Sequence, residues 1–167
     1  MRIHVTGASG SGTTTLGRAL ADALGCTHLD TDDYYWLPTT PPYQEKRGPA
    51  QRVAMLAVDL RPSDVVLSGS IGSWGAAVED VFDLVVFLYL PVELRLARLQ
   101  QREVARYGAA DPVFLEWAAQ YDEGPPEGRS LAKHNAWLAQ RTCRVLRLEG
   151  DLTVEERVAL VLAAVRT

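Results

Sequence analysis

Three glycines fall within six residues near the start of the chain, in the run Gly-Ala-Ser-Gly-Ser-Gly-Thr-Thr at 7–14. Residues 2–6 before this run have the composition of a short strand, and residues 15–24 after it are rich in Ala and Leu, as in a helix. A glycine-rich turn between a strand and a helix lets successive backbone N–H groups surround one anion, with the positive end of the helix dipole behind them. The run therefore predicts a strand–loop–helix unit that binds phosphate; the alternative is a Gly- and Ser-rich turn without a ligand.

The spacing matches the Walker A pattern except at one position. Gly7, Gly12 and Thr14 satisfy the order Gly, four residues, Gly, Lys, Ser or Thr, and Thr13 stands where the lysine is expected. Without that lysine, a transferring phosphoryl group loses a charge-assisted hydrogen bond worth roughly 1.5–3 kcal/mol, or about ten- to a hundredfold in rate. The N–H groups of the loop do not depend on it. We predict that a nucleotide contacts Gly7, Ala8, Ser9, Gly10, Ser11, Gly12, Thr13, Thr14 and Thr15.

Size and charge limit the kinds of protein that this chain can be. Its 167 residues suffice for one compact domain, which we predict over 1–167. The formal net charge of −4 argues against a dedicated nucleic-acid or membrane surface. No apolar run is long enough to span a membrane, and residues 1–24 do not have the pattern of a signal peptide. Because Cys26 and Cys143 show no partner spacing, we expect reduced thiols and a cytoplasmic location.

Near-continuous apolar runs at 64–67 and 84–88 are typical of strands buried on both faces of a parallel sheet. Strands are predicted at Arg2–Thr6, Thr27–Asp30, Asp64–Ser68, Leu84–Leu90 and Arg144–Leu148. Helices are predicted at Thr14–Leu24, Pro49–Leu60, Pro91–Tyr107, Pro112–Tyr121, Ser130–Gln140 and Thr153–Val165, the last starting with a capping box of Thr153 and Glu156. This alternation predicts an α/β fold, a doubly wound parallel sheet with helices on both faces in three layers.

Two long stretches do not fit the sheet or its helices. Residues 37–48 hold three prolines and a charged cluster, and residues 108–128 join short helical pieces through a Gly- and Pro-rich run. Long loops in a compact domain are either functional or disordered. Both follow strands that we expect near the phosphate loop, which favours the functional interpretation.

Two carboxylates follow the second predicted strand. In an open parallel sheet, ligands bind outside the carboxyl ends of the strands, where Asp30 and Asp32 stand. If the chain stays extended, both side chains point to the same side, roughly 7 Å apart. We predict that Asp30 binds Mg²⁺ together with Thr14, that Asp30 and Asp32 contact the substrate, and that Asp32 accepts a substrate proton. The alternative is that Asp32 or Asp33 caps the next turn.

The third predicted strand ends in small residues, Ser-Gly-Ser-Ile-Gly-Ser at 68–73. They leave room for a ligand, and Ser70 offers it a hydroxyl. No Asp ends this strand, so the usual Walker B carboxylate is missing and Asp30 is the nearest candidate to supply its charge. Trp36 and Trp74, with Tyr34, are candidate pocket walls, and packing in the core is the alternative for each.

The helix predicted after the fourth strand carries four arginines on one side. At about 100° per residue they fall within roughly 80° of one another, and like charges spaced i, i+4 are mildly destabilising unless an anion binds them. Glu103 can relieve part of this repulsion through Arg106. We predict a phosphate-binding stripe; a solvated face is the alternative. The stripe consists of Arg95, Arg98, Arg102 and Arg106.

A second cationic pair, Arg129 and Lys133, is also spaced i, i+4 and is predicted to bind substrate. The chain has only two lysines, Lys46 and Lys133. Either lysine, or an arginine of the stripe, is a candidate for the charge missing at Thr13.

Together, these motifs resemble the small P-loop kinases, the group that includes adenylate, shikimate and gluconate kinases, and in particular the adenylate-kinase-like or AAA-type bacterial proteins. The similarity covers nearly the whole chain. It implies a five-stranded parallel sheet in the order 2-3-1-4-5, a substrate-binding region at about 37–60 and a hinged lid at about 107–130. It further implies that Thr14 binds Mg²⁺, that Asp30 lies near the metal with Asp32 on a substrate hydroxyl, and that catalytic lid arginines correspond to Arg98, Arg102 and Arg106.

We therefore expect an ATP-dependent phosphotransferase that uses Mg²⁺ and acts on a small hydroxyl- or phosphate-bearing acceptor. Asp32 would orient the acceptor while charge stabilisation drives transfer. Because the lysine is missing, a nucleotide-binding sensor with negligible turnover is the second hypothesis. A plain hydrolase or an RNA-modifying kinase is the third, and the acidic charge balance disfavours RNA.

Overall fold

Five parallel strands form one sheet at the centre of the molecule. The architecture comes from a computed structural model, which describes residues 1–125 and 127–166. The strands are β1 (Arg2–Gly7), β2 (Thr27–Asp30), β3 (Val65–Ser68), β4 (Leu84–Tyr89) and β5 (Arg144–Glu149). Their order is β2-β3-β1-β4-β5, with Ile3 of β1 opposite Val66 on one side and Leu84 on the other. The predicted fold class and strand order are confirmed.

Eight helices are present in the described part of the chain: α1 (Thr13–Leu24), α2 (Thr31–Tyr35), α3 (Pro49–Asp59), α4 (Ala76–Glu79), α5 (Val92–Tyr107), α6 (Pro112–Ala119), α7 (Leu131–Ala139) and α8 (Val154–Arg166). The six predicted helices all occur, with bounds that differ by one or two residues. The short helices α2 and α4 were not predicted. Before α8, the predicted capping box is formed, because the Thr153 N–H donates to Glu156 Oε2 (2.8 Å) and the Glu156 N–H donates to Thr153 Oγ1 (3.2 Å).

Strands β3 and β4 bury both of their faces, which explains their unbroken apolar runs. Val85 and Phe87 of β4 pack with Leu56 of α3 and Trp137 of α7 on one face of the sheet. On the other face, the alternate residues of β4 pack with residues of α1 and α8, among them Leu16, Leu20 and Val161. The result is a three-layer sandwich in which the carboxyl ends of β1, β2 and β3 meet at one edge, where the phosphate loop follows β1.

Every helix in the described part of the chain is too short or too polar to span a lipid bilayer.

Candidate functional site

The loop after β1 forms an open cradle of backbone N–H groups. Gly10 and Gly12 have φ angles of 83° and 93°, in the left-handed region that favours glycine. Gly12 is the N-cap of α1, and none of the side chains in 1–125 and 127–166 caps that helix end, so its first N–H groups stay available to an anion. The loop is held from within, since both the backbone N–H and the hydroxyl of Ser11 donate to the Ala8 carbonyl oxygen (3.1 and 2.7 Å).

Two of the glycines also allow close backbone approaches. A Cβ atom at Gly7 would lie 2.6 Å from the Leu88 carbonyl oxygen, and one at Gly10 would lie 2.7 Å from the Arg95 carbonyl oxygen. The loop is therefore packed directly against the end of β4 and the first turn of α5.

Thr14 and Asp30 form the pair that fits a hard cation. The Thr14 hydroxyl donates to Asp30 Oδ2 (2.8 Å), and Ser68 Oγ lies 3.4 Å from the same oxygen. Ser68 is in turn 2.8 Å from His28 Nε2. No cluster of three or more His, Cys, Asp or Glu side chains in the described chain could hold a metal by itself. A Mg²⁺ ion here would thus take hydroxyl and carboxylate oxygens from the protein and its other ligands from phosphate and water, as this ion usually does.

The chain does not stay extended after Asp30, so the predicted same-side arrangement of Asp30 and Asp32 is wrong. Helix α2 begins at Thr31, and Asp30 caps it by accepting a hydrogen bond from the Asp32 N–H at Oδ1 (3.0 Å). An Asp at the end of a strand is a strong N-cap, which is why the turn forms there. The cap residue is Asp30 rather than Asp32 or Asp33.

Asp32 instead lines a cleft of about 900 Å³ beside the phosphate loop. Partial desolvation, and next the negative charge of Asp30, raise the pKa of Asp32; Arg129 and Arg102 oppose this shift. Of the predicted substrate residues, this cleft is lined by Asp32, Trp36, Ser70, Trp74, Arg129 and Lys133. Asp30 lies outside the lining, with Thr14.

The aromatic wall of the cleft differs by one residue from the sequence expectation. Tyr34 is buried in the core and its hydroxyl donates to Asp59 Oδ2 (2.7 Å), so it is not a pocket wall. Tyr35 lines the cleft in its place, with its ring nearly parallel to that of Trp74 at 6.4 Å. Because residues 31–35 form a helical turn, Tyr34 is in the core and Tyr35 is at the cleft.

Arg52 of α3 is a cleft residue that sequence reasoning missed. Its guanidinium lies 4.9 Å from the Tyr35 ring centroid and 4.6 Å from that of Trp74, within cation–π range. Its Nε is buried, and no residue in the described part of the chain accepts a hydrogen bond from it. The only sequence signal was a lone arginine on a helix next to a proline-rich loop.

Glu79, also in the cleft wall, is already satisfied. Its carboxylate accepts from Trp137 Nε1 (2.7 Å) and the Gly75 N–H (2.7 Å), and Arg141 lies 3.6 Å away. The charges left facing the cleft therefore favour an anionic ligand: Lys46, Arg52, Arg129 and Lys133 stand against Asp32 and the exposed Glu127.

Arg129 connects the cleft to the phosphate loop. Its Nη2 donates to Ser9 Oγ (3.0 Å), and its guanidinium lies 5.8 Å from the Trp117 ring centroid. Burial lowers the pKa of Arg129, and Asp32 acts in the opposite direction. The two lysines have other contacts: Lys46 lies over the Tyr35 ring at 5.8 Å, and Lys133 donates to the Gly128 carbonyl (2.8 Å).

The arginine helix α5 does not present one stripe of four. Arg95 is fully buried and donates to the carbonyl oxygens of Leu90 (3.0 Å) and Ala118 (3.2 Å), so it anchors the helix instead of facing a ligand. This part of the prediction is wrong, because an arginine on the inner side of a helix can be satisfied by carbonyls. Glu103 pairs with Arg102 (2.9 Å) rather than with Arg106.

The other arginines of α5 are accessible. Arg98 pairs with Asp151 (2.6 Å), and its Nη1 lies 3.9 Å from the position of a Cβ atom at Gly12. Arg102 and Arg106 are exposed on the next two turns.

Arg157 of α8, which sequence reasoning did not consider, lies behind the loop. It is 3% exposed, and its Nη1 donates to the Ser11 carbonyl oxygen (2.9 Å). Its sequence signal was a charge four residues before Val161, on the apolar face of its helix.

The chain was compared with protein families, with individual proteins and with solved structures. No family model matches the chain. YqaC of Bacillus subtilis (strain 168), described as an uncharacterized protein, is 45% identical over 171 aligned positions, which cover 96% of this chain and 94% of YqaC.

Solved structures of small P-loop kinases share the fold. Shikimate kinase from Aquifex aeolicus has a TM-score of 0.60 at 17% identity, covering 99% of this chain and 96% of that one. A gluconokinase from Sinorhizobium meliloti has a TM-score of 0.59 at 21% identity, covering 97% and 89%. Shikimate kinase from Acinetobacter baumannii in complex with shikimate has a TM-score of 0.55 at 22% identity, covering 98% and 92%. The resemblance expected from the sequence is confirmed at the level of fold.

Proposed function

The chain belongs to the family of YqaC, and from this premise and its kinase fold we propose that it is an ATP-dependent phosphotransferase with a small anionic acceptor. The observation that carries the proposal is the contact between Arg129 and Ser9, which joins a phosphate cradle to a cleft large enough for a metabolite. Nucleotide phosphates would occupy the cradle and the acceptor would occupy the cleft, with Asp32 and Arg129 between them.

Asp32 is the proposed proton acceptor. The acceptor hydroxyl oxygen forms a bond to the γ-phosphorus of ATP, the bond from that phosphorus to the β–γ bridging oxygen breaks, and the hydroxyl proton passes to the Asp32 carboxylate. ADP and the phosphorylated acceptor are the products. A raised pKa suits a carboxylate that has to take up a proton.

Thr14 and Asp30 would hold the Mg²⁺ ion. When bound, this ion neutralises charge on the outer phosphates and orients them. Asp30 is fixed for this role by the Thr14 hydroxyl and the Asp32 N–H, so its carboxylate needs little reorganisation.

Arg129 is our candidate for the cation that replaces the missing lysine. Its guanidinium donates to Ser9 of the loop and also lines the cleft. It can therefore donate to a phosphate group that lies between the loop and the cleft. Arg102 and Arg106 are proposed to complete the site from α5, the helix that precedes the proposed lid at about 107–130.

The acceptor is proposed to carry an anionic group opposite Arg52 and Lys133. The acids of the cleft do not balance its cations, because Glu79 is bonded to Trp137 and Arg141. Shikimate, present in the complex from Acinetobacter baumannii, is one hydroxy acid to test first.

The test is ADP production from ATP and Mg²⁺ across a panel of hydroxy acids, sugar acids and nucleoside monophosphates. An acceptor that stimulates ADP release supports the proposal. Asp32→Asn is then expected to lower kcat about 10²–10⁴-fold. Asp33→Asn is the matched control, because Asp33 is exposed on the same helix and outside the cleft lining. Wild-type activity in Asp32→Asn would contradict the proposed role.

A sensor with negligible turnover is the second candidate, favoured by Thr13 at the lysine position. Such a protein would bind ATP with Mg²⁺ in calorimetry but release no ADP with any acceptor of the panel. That outcome would replace the phosphotransferase proposal.

A further inference from the structure

Arg157 occupies an unusual place for a charged side chain. It is 3% exposed and lies on α8 among residues that cover one face of the sheet. Within the described part of the chain, no carboxylate lies within ion-pair distance of its guanidinium, and its Nε has no hydrogen-bond partner. Burying a guanidinium without an ion-pair partner is unfavourable unless hydrogen bonds compensate for its lost hydration.

The contacts of Arg157 lead to the phosphate loop. Nη1 donates to the Ser11 carbonyl oxygen (2.9 Å), and Nη2 donates to the Gly150 carbonyl oxygen (3.2 Å). The first of these oxygens belongs to the peptide unit that also carries the Gly12 N–H. Nη1 is 3.2 Å from where a Cβ atom at Gly12 would stand, so a side chain at that position would crowd the guanidinium.

Peptide geometry carries the effect of this cation through the loop. The Ser11–Gly12 peptide is trans, so its carbonyl and its N–H point in opposite directions. With the guanidinium on the carbonyl side, the Gly12 N–H points away from Arg157, to the other side of the peptide. A cation bonded to the oxygen draws electrons through the amide, and hydrogen bonds linked in this way strengthen one another.

We propose that Arg157 is a positioning residue that polarises the Ser11–Gly12 peptide from behind the loop, and that it thereby strengthens the Gly12 N–H as a donor to the nucleotide's phosphates. This inference rests on the proposed nucleotide site, but not on phosphoryl transfer. Arg157 does not touch the phosphates itself. It supplies part of the positive potential that a lysine at position 13 would have supplied from the front.

The test uses pyrophosphate and ATP binding, measured by calorimetry on the whole chain. Arg157→Gln keeps an N–H donor for the Ser11 carbonyl and removes the charge; we expect about tenfold weaker binding of both ligands. Arg157→Lys keeps the charge and is expected to stay within about threefold of wild type. Arg166→Met on the same helix is the control, because that arginine is exposed in the last turn.

Two outcomes overturn the inference and leave the proposed function intact. One is wild-type affinity in a folded Arg157→Gln protein. The other is an Arg157→Lys protein that binds as weakly as Arg157→Gln, which would mean that the charge is irrelevant. If the wild type binds neither ligand, both the inference and the proposed nucleotide site fail.

A measurement on the unmodified protein covers the case in which the variants do not fold. On adding pyrophosphate, the Gly12 amide proton should move further downfield in NMR spectra than that of Gly10. The carbonyl that precedes Gly10 has no described guanidinium partner. An equal or larger shift at Gly10 would overturn the inference, whereas a merely structural role of Arg157 would not make Gly12 exceptional.

Discussion

At the scale of the residue, Asp32 is controlled by its charged neighbours. Desolvation and Asp30 raise its pKa, whereas Arg129 and Arg102 lower it. A proton acceptor must be ionised, so activity should fall as the pH decreases through this raised pKa. The position of that decrease reports which charges face the carboxylate.

Arg129→Met is expected to move the acidic decrease of kcat/KM to higher pH, because the substitution removes a cation that stabilises ionised Asp32. The measurement is kcat/KM against pH with the best acceptor of the panel. Lys133→Met is the control, since Lys133 is not among the charges that shift Asp32. A pH profile that keeps its position in Arg129→Met would contradict this electrostatic link.

Thr13 allows a second prediction at this scale. If the loop is a working phosphotransferase site, Thr13→Lys should keep or raise turnover, because it restores the cation that the motif lacks. Steady-state ADP release would show this. A variant that binds ATP more tightly but still shows no acceptor-stimulated release would support the sensor.

At the scale of the element, α1 lies against β2 and β3 through a glycine. A Cβ atom at Gly17 would be 2.8 Å from His28 Nε2 and 3.0 Å from Ser68 Cβ. His28 Nε2 is within hydrogen-bond distance of Ser68 Oγ, which in turn lies close to the Asp30 carboxylate. The packing of this helix therefore supports the carboxylate that would hold Mg²⁺.

Gly17→Ala is expected to lower the free energy of unfolding by about 1–3 kcal/mol through overpacking, even though alanine favours helix by about 1 kcal/mol. Urea unfolding would measure the change. Gly48→Ala is the control, since a Cβ there meets nothing within 4 Å and its φ is −57°. Equal stabilities of the two variants would contradict the close packing.

The regular elements were predictable because buried parallel strands leave unbroken apolar runs and their helices carry caps. Helix α2 was not predictable, because an Asp at the end of a strand fits an extended metal site as well as it fits the cap of a helix. The turn between β1 and α1 could be located from its glycines and from the strand and helix patterns on either side of it. The positions of Arg52 and Arg157 could not be predicted, because they depend on contacts with residues distant in sequence, such as Trp74 and Ser11.

At the scale of the whole molecule, two histidines are buried in the uncharged form. Burial lowers the pKa of His4 and of His134 from 6.5 to about 4. His4 Nε2 lies 2.8 Å from the Gly69 carbonyl oxygen, and His134 Nδ1 lies 2.6 Å from the Tyr121 hydroxyl. Between about pH 6.5 and pH 4, an unfolded chain would bind protons at these side chains, whereas the folded chain would bind few.

Stability should therefore decrease as the pH falls from 6.5 toward 4. Between pH 6 and pH 5 the two groups together predict a loss of about 2 kcal/mol. Urea unfolding at half-unit steps of pH measures it, and His134→Gln should reduce the slope. A free energy of unfolding that is flat over this interval would contradict the buried neutral state.

Gly10 packs against the Arg95 carbonyl near the start of α5, so this helix would pivot about that contact if the phosphate loop moved. Arg106 stands eleven residues further along, about 16 Å from that contact at 1.5 Å per residue. If α5 tilted by about 10°, Arg106 would move by about 3 Å, which is the length of one hydrogen bond. A small displacement caused by a ligand at the loop would thus become larger at Arg106, which is proposed to help complete the site.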